Sequence, residues 1–167
     1  AARLDRLHAR VQGTLAALDA QLVRRAEATL ELANSGLLDA ASALMLASAA
    51  SESLAIAEDE DTDADRQRFS HERESVESDL SVALGHALNA DSLSVLPHEA
   101  GFGDDILSRV TATGLRVQLA RRFHNDAVTD VRRVRRKLVV KWFRLAGYTE
   151  MPTTVEFDDA LPAGLRG

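Results

Sequence analysis

The segment Ala120–Trp142, which reads ARRFHNDAVTDVRRVRRKLVVKW, decides the fold that this sequence predicts. Neither proline nor glycine, the residues that most often interrupt a helix, occurs between Leu119 and Leu145. A stripe of mostly apolar residues recurs at steps of three or four, at Ile106, Val110, Gly114, Val117, Ala120, His124, Val128, Val131, Val134, Leu138, Trp142 and Leu145. These eleven steps cover 39 residues, close to the 3.5-residue period of helices that pack side by side. The segment therefore predicts one long helix over about residues 104–146.

Three more segments have helical periodicity, and they cover residues 3–34, 39–57 and 66–89. Asn34-Ser35-Gly36 ends the first of these helices, and Asp39 is a suitable N-cap for the second. The acidic stretch 58–65 is predicted to be a loop, and residues 148–167 to be a C-terminal tail that is ordered where Val155 and Phe157 can dock. We therefore predict an all-α, antiparallel four-helix bundle over residues 1–147, with long first and last helices.

The residue composition argues against several classes of active site. The chain has no cysteine, which excludes disulfides, thiol catalysis and cysteine-based zinc sites. Its five histidines lack the spacing of a helical metal site, and no nucleophile elbow or glycine-rich phosphate loop is present. We therefore expect no catalytic residues, no metal, no cofactor and no enzymatic activity. The apolar run Leu37–Ala57 contains Asp39 and Glu52, so it is predicted to be a bundle helix rather than a membrane span.

The net charge of −6 conceals a strong separation of charge along the chain. Residues 52–79 contain eleven acidic and three basic residues, whereas residues 116–144 contain ten basic and two acidic residues. The last helix is thus predicted to carry a basic face formed by Arg132, Arg133, Arg135, Arg136, Lys137, Lys141 and Arg144. This face is open to four interpretations: a solvated surface, a site for anionic lipid headgroups, a site for an acidic protein, or a nucleic-acid site. Nucleic acid is disfavoured, because no recognised reading motif accompanies the charge and few aromatic residues could stack on bases.

A second candidate site is a polar cluster on the first and last helices. If these helices are antiparallel and Leu4 lies beside Leu145, their equal rise places Arg25 opposite residue 124. The predicted cluster then consists of Arg24, Arg25, His124, Asn125 and Asp126. One interpretation is an internally hydrogen-bonded layer that determines how the helices align. The alternative is a ligand-binding or enzymatic site.

Three segments of the chain resemble motifs of the LemA family. Arg24-Arg25 within Gln21–Leu32 resembles the family's double arginine in its first long helix. The run Arg121–Val128, with sequence RRFHNDAV, resembles its later arginine-rich motif, and Pro152, Val155 and Phe157 resemble its closing motif. The chain is similar to a divergent member of this family.

The resemblance implies a helical bundle tethered to the cell membrane by a single span that precedes residue 1. Positive charge beside such a span would place the bundle in the cytoplasm. We therefore expect a non-catalytic scaffold or interaction module of the cell envelope. In an up-down-up-down bundle, the start of the first helix and the end of the last share one pole. Arg3, Arg6 and Arg10 would then join the basic face beside an anionic membrane surface, which is the expected partner. A protein partner or a homo-oligomer is a further possibility.

Overall fold

Five α-helices and one 3₁₀ turn form the part of the chain that the computed structural model describes, which is residues 2–62, 69–96, 101–141 and 151–166. The helices are α1 (Ala2–Asn34), α2 (Ala40–Thr62), α3 (His71–Ala87), α4 (Ala90–Val95) and α5 (Phe102–Lys141), and the 3₁₀ turn is Ala163–Leu165. Within the described ranges no residue belongs to a strand. The predicted all-α bundle with long first and last helices is confirmed, and α4 is a short addition to it.

The largest change in helix boundaries is at the acidic stretch. Residues 58–62, which were predicted to be a loop, continue α2, while residues 63–65 lie outside the described residues. The carboxylate of Glu60 explains the extension, because it accepts a hydrogen bond from the Ser70 main-chain N–H at 3.2 Å and pairs with Arg73 at 3.0 Å. Ser70 is the N-cap of α3, where its Oγ accepts a hydrogen bond from the main-chain N–H of Arg73. The acidic end of α2 is therefore stabilised by the start of α3.

Helices α1 and α5 are antiparallel, and three contacts define their alignment. Arg10 contacts Asp130 at 3.2 Å, Thr14 contacts His124 at 3.2 Å, and Glu31 contacts Arg109 at 2.6 Å. The residue numbers in each pair add to about 140, whereas the predicted pairing of Leu4 with Leu145 requires 149. The predicted alignment is wrong by about nine residues, or roughly 14 Å. It assumed that the two helices end at the same level, but α5 continues past the start of α1.

Three apolar clusters follow one another along α1 and α5. The largest is formed by all four long helices and includes Leu32, Leu46, Leu80 and Ile106. The cluster at the opposite end contains residues of α1 and α5 alone, namely Leu7, Val11, Ala127, Val128 and Val131. The fold is therefore a four-helix bundle at one end, from which α1 and α5 continue as an antiparallel helix pair.

The middle cluster is completed by an extended stretch, residues 151–161, which we call the C-terminal segment. Val155 and Phe157 are buried there against Leu18, Leu22 and Val117. The segment lies between α3 and α5 and makes hydrogen bonds to both helices. It was predicted to be a C-terminal tail that is ordered where Val155 and Phe157 can dock, and these two side chains are buried in the core.

Within the described residues, one stretch, Ala40–Glu60 of α2, is long and apolar enough to cross a membrane, with a mean hydropathy of 1.4. Length and composition are the whole of that argument. In this fold the same helix packs against α1 and α3, and it buries Leu46 and Ala50 in the largest cluster. Ser53 of α2 is also buried and donates a hydrogen bond to Glu77 of α3.

Candidate functional site

The structure does not bring the five residues of the predicted polar cluster together. Arg25 is 3% exposed, and its guanidinium donates to Glu77 Oε2 at 2.7 Å and to Ser81 Oγ at 2.8 Å, both on α3. His124 lies beside Thr14, and Thr14 is eleven residues, or about 16 Å, from Arg25 along α1. The predicted contact between Arg25 and His124 is wrong because the alignment of α1 and α5 differs from the predicted one.

The other members of that cluster have separate environments. Arg24 and Asp126 are exposed. Asn125 makes two hydrogen bonds to the main chain of Val155: its Nδ2 donates to the carbonyl at 3.1 Å, and its Oδ1 accepts from the N–H at 2.8 Å. Asn125 therefore binds the C-terminal segment rather than α1.

A different polar network lies inside the bundle, and of its members only Arg25 was predicted to belong to a polar layer. Five of its seven side chains are buried, whereas those of Asp19 and Glu60 are partly exposed. We call it the ion layer, and its members are Asp19, Arg25, Ser53, Glu60, Arg73, Glu77 and Ser81. Arg73 pairs with Asp19, with Glu60 at 3.0 Å and with Glu77 at 3.7 Å. Arg73 and Glu77 lie on the same helical face as Leu80, Leu84 and Leu88, at steps of three and four residues. This placement of two charges on an apolar face was the signal that could have revealed the layer.

The charges of the ion layer stabilise one another. Burial alone would lower the pKa of the Arg73 guanidinium, but the charge of Asp19, together with Glu60 and Glu77, raises that pKa above its ordinary value. The Phe69 ring also lies 5.1 Å from the Arg73 guanidinium carbon. Since each arginine has carboxylate and aromatic neighbours, the layer has the chemistry of a structural network that aligns α1, α2 and α3.

His124 is 2% exposed and lies at the start of the antiparallel helix pair. Burial lowers the pKa of its imidazole, and this outweighs the opposing effect of main-chain groups of Thr153 and Val11. The Thr14 hydroxyl lies 3.2 Å from His124 Nδ1 and 2.9 Å from the Val11 carbonyl oxygen, to which it donates. A neutral histidine with these neighbours is typical of a hydrogen-bonded core residue.

The second predicted site, the basic face, forms a compact surface at the end of the antiparallel helix pair. We call it the basic pole, and its described members are Arg3, Arg6, Arg10, Arg132, Arg133, Arg135, Arg136 and Lys137. Residues 3–10 and 130–137 contain these eight cations and two acidic residues, Asp5 and Asp130, a balance of 8 − 2 = +6. The Arg10–Asp130 ion pair places the two helices side by side at this pole. The side chains of Lys141 and Arg144 lie outside the described residues.

A groove of about 510 Å³ opens between the two helices of the basic pole. Arg3, Arg133 and Lys137 line it together with Leu4, Leu7, Asp130 and Val134. The groove therefore combines apolar side chains with three cationic side chains and one carboxylate, a combination suited to a group that has an anionic head and an apolar stem. Within the described residues, no group of three or more histidine, aspartate or glutamate side chains is placed to hold a metal ion.

Comparisons of this sequence and fold with family models, curated proteins and solved structures give no match. The resemblance to the LemA family thus rests on the sequence motifs. In the structure these three motif segments meet at Phe157, whose ring lies 5.9 Å from the guanidinium carbon of Arg25 and 5.6 Å from that of Arg121.

Proposed function

We propose that this chain is a non-enzymatic helical interaction module that binds an anionic membrane surface through its basic pole. The observation that carries the proposal is the concentration of eight cations against two acidic residues at the end of the α1–α5 helix pair. Each Lys or Arg close to an anionic bilayer contributes about 1 kcal/mol to binding. A surface with this charge supports binding without any pocket for a particular headgroup.

The described acidic residues at the end of α2 and the start of α3 lie away from the basic pole. Arg73, at the start of α3, pairs with Glu60 of α2 and with Asp19 of α1. Asp19 and Arg6 are thirteen residues apart on one helix, which corresponds to roughly 20 Å. Charges at that separation are largely screened, since the Debye length at physiological salt is about 8 Å. The described acidic residues at this level, up to Glu60 in α2 and from Glu72 in α3, therefore leave the positive potential of the pole largely intact.

The sequence around the end of α5 has a composition that suits a membrane interface. Residues 138–145 read LVVKWFRL and interleave apolar and aromatic residues with Lys141 and Arg144. Mixtures of this kind favour the boundary between headgroups and acyl chains. We further propose a single preceding span, which the LemA resemblance implies, with the bundle in the cytoplasm. Positive charge that flanks a span favours the cytoplasmic side.

Co-sedimentation with liposomes tests the proposal. The chain should bind vesicles that contain phosphatidylserine, should not bind vesicles of phosphatidylcholine alone, and should dissociate as salt concentration rises. The triple variant Arg133→Glu/Arg136→Glu/Lys137→Glu removes three exposed cations of the pole. Its affinity for the anionic vesicles should fall by at least about a hundredfold, since each lost cation removes about 1 kcal/mol.

The matched control is Arg24→Glu/Arg116→Glu/Arg122→Glu, which changes the net charge equally at three exposed positions away from the pole. This control should keep most of the binding. Equal losses in the two triple variants would show that net charge alone drives binding, and equal binding to the two kinds of vesicle would contradict the proposal. Protease access to the bundle from outside intact cells would contradict the cytoplasmic topology.

A further inference from the structure

The C-terminal segment lies in a second groove, between α3 and α5. It is held there mainly through its own main chain. Asn125 makes its two hydrogen bonds to Val155, and the N–H groups of Glu156 and Asp158 donate to Glu74 Oε2 and Ser78 Oγ, each at 3.0 Å. On the side of α5, Gln118 Nε2 donates to the Asp159 carbonyl at 2.8 Å, and Arg132 Nε donates to the Pro152 carbonyl at 3.1 Å. Side chains of two helices thus make hydrogen bonds to the main chain of one extended segment, as in grooves that bind extended peptides.

Alternate side chains of the segment supply anchors. Val155 and Phe157 point into the core, and the Phe157 ring stacks on Phe69 with their centroids 6.0 Å apart. Arg25 and Arg121 both face the Phe157 ring, at 5.9 and 5.6 Å. The groove therefore holds an aromatic residue two positions after a β-branched one.

Charge complements the shape of this groove. Arg121 Nε pairs with Asp159 Oδ2 at 2.7 Å, and Arg121 Nη1 lies 3.4 Å from Glu156 Oε2. The acidic residues of the segment flank its aromatic anchor in the sequence Val-Glu-Phe-Asp-Asp. Main-chain bonding, paired apolar anchors and an arginine for flanking carboxylates together define one kind of occupant.

We propose that the groove between α3 and α5 is a peptide-binding groove for an extended acidic segment of another protein with Val-x-Phe-Asp-Asp chemistry, and that residues 151–161 occupy it as an intramolecular competitor. The clusters at the two ends of the bundle contain no residue of 151–161, so neither cluster is built on the contacts of this stretch. Competition within one chain lowers the apparent affinity for a peptide in trans in proportion to the fraction of open groove. This inference does not rest on membrane binding by the basic pole.

The test measures binding of a fluorescent peptide of residues 151–161, MPTTVEFDDAL, to the whole chain by fluorescence anisotropy. Phe157→Ala in the chain weakens the internal competitor and leaves every groove side chain in place. The chain with Phe157→Ala should therefore bind the peptide at least tenfold more tightly than the wild-type chain. In that background, Asn125→Ala should abolish peptide binding, whereas Asp126→Ala, at the neighbouring exposed position, should have no effect.

A second variant guards against loss of folding in the first. Asp159→Lys removes the ion pair with Arg121 without changing a core residue, and it should raise the affinity for the peptide in the same direction. A peptide with alanine at the phenylalanine position and a scrambled acidic peptide should both bind at least tenfold more weakly. Unchanged affinity in a folded Asp159→Lys or Phe157→Ala chain, or equal binding of the scrambled peptide, would overturn the proposal. A dimer of the wild-type chain that grows with concentration and disappears with Phe157→Ala would assign the groove to a second copy and would also overturn it.

Discussion

Removal of the charge of Glu77 is the sharpest test of the ion layer. This carboxylate is 0% exposed; it contacts Arg25 at 2.7 Å and Arg73 at 3.7 Å, and it accepts a hydrogen bond from Ser53 at 2.8 Å. Glu77→Gln preserves the size of the side chain and its capacity to accept from Ser53, but removes the negative charge. Arg73 retains Asp19 and Glu60 in the variant. Arg25 then keeps its bonds to Ser81 and to the main chain of residue 77 without a carboxylate beside it.

The size of the effect follows from this asymmetry. A buried charge that loses its partner costs about 3–5 kcal/mol, so Glu77→Gln should lower the free energy of unfolding by about that amount. Arg25→Met should cost less, about 1–3 kcal/mol, because Glu77 still has Arg73 and Ser53 as partners. The double variant should be more stable than the sum of the single changes implies, by up to about 3 kcal/mol, because no charge is then left without a partner in the layer.

Urea denaturation followed by far-UV circular dichroism measures all four proteins of this double-mutant cycle. The matched control is Glu31→Gln with Arg109→Met, which form an ion pair at 2.6 Å whose side chains are 46% and 51% exposed. That pair should contribute no more than about 1 kcal/mol. Additivity of the Glu77 and Arg25 changes to within about 0.5 kcal/mol would refute the argument, because it would mean that the two side chains do not interact.

Three further outcomes are expected. Because burial lowers the pKa of His124, the unfolded chain binds a proton at this residue at a higher pH than the folded chain does. His124 should therefore leave the free energy of unfolding unaffected above its ordinary pKa of 6.5, and should reduce it as the pH falls below that value. His124→Gln should remove that part of the pH dependence in thermal melts, and an unchanged pH dependence would argue against burial of a neutral imidazole. Asn125→Ala should cost about 1–3 kcal/mol by leaving the main chain of residue 155 unpaired, whereas Arg136→Ala, at an exposed position, should change the unfolding free energy by less than about 0.5 kcal/mol; equal effects in urea denaturation would contradict the contact. Gly164→Ala should destabilise the chain by about 1–3 kcal/mol, because the added Cβ would lie 2.2 Å from Leu93 Cδ1, and a neutral result in the same assay would show that this packing is looser than it looks.

The sequence by itself determined the elements of this fold and the separation of its charge. Periodicity at three and four residues is a local property, and it predicted α1 and α5 to within a few residues at the described ends. The grouping of arginines at the start of α1 and the end of α5 also follows from the sequence, once the two helices are antiparallel neighbours. Capping is local as well, and Asp39 accepts from the main-chain N–H groups of Ala41 and Ser42 as an N-cap does.

Only the tertiary structure decided which residues face one another. A stripe that repeats every 3.5 residues packs almost equally well after a shift of one heptad, so periodicity alone does not determine how α1 and α5 align. The alignment depends on contacts between residues far apart in sequence, such as Thr14 with His124 and Arg25 with Glu77. The C-terminal segment shows the same limit: the sequence predicted that Val155 and Phe157 dock, but only the structure places them against Leu18 and Leu22 of α1 and Val117 of α5. Local preference determines the helices, whereas shape and charge complementarity between distant residues determine the alignment, the ion layer and the groove.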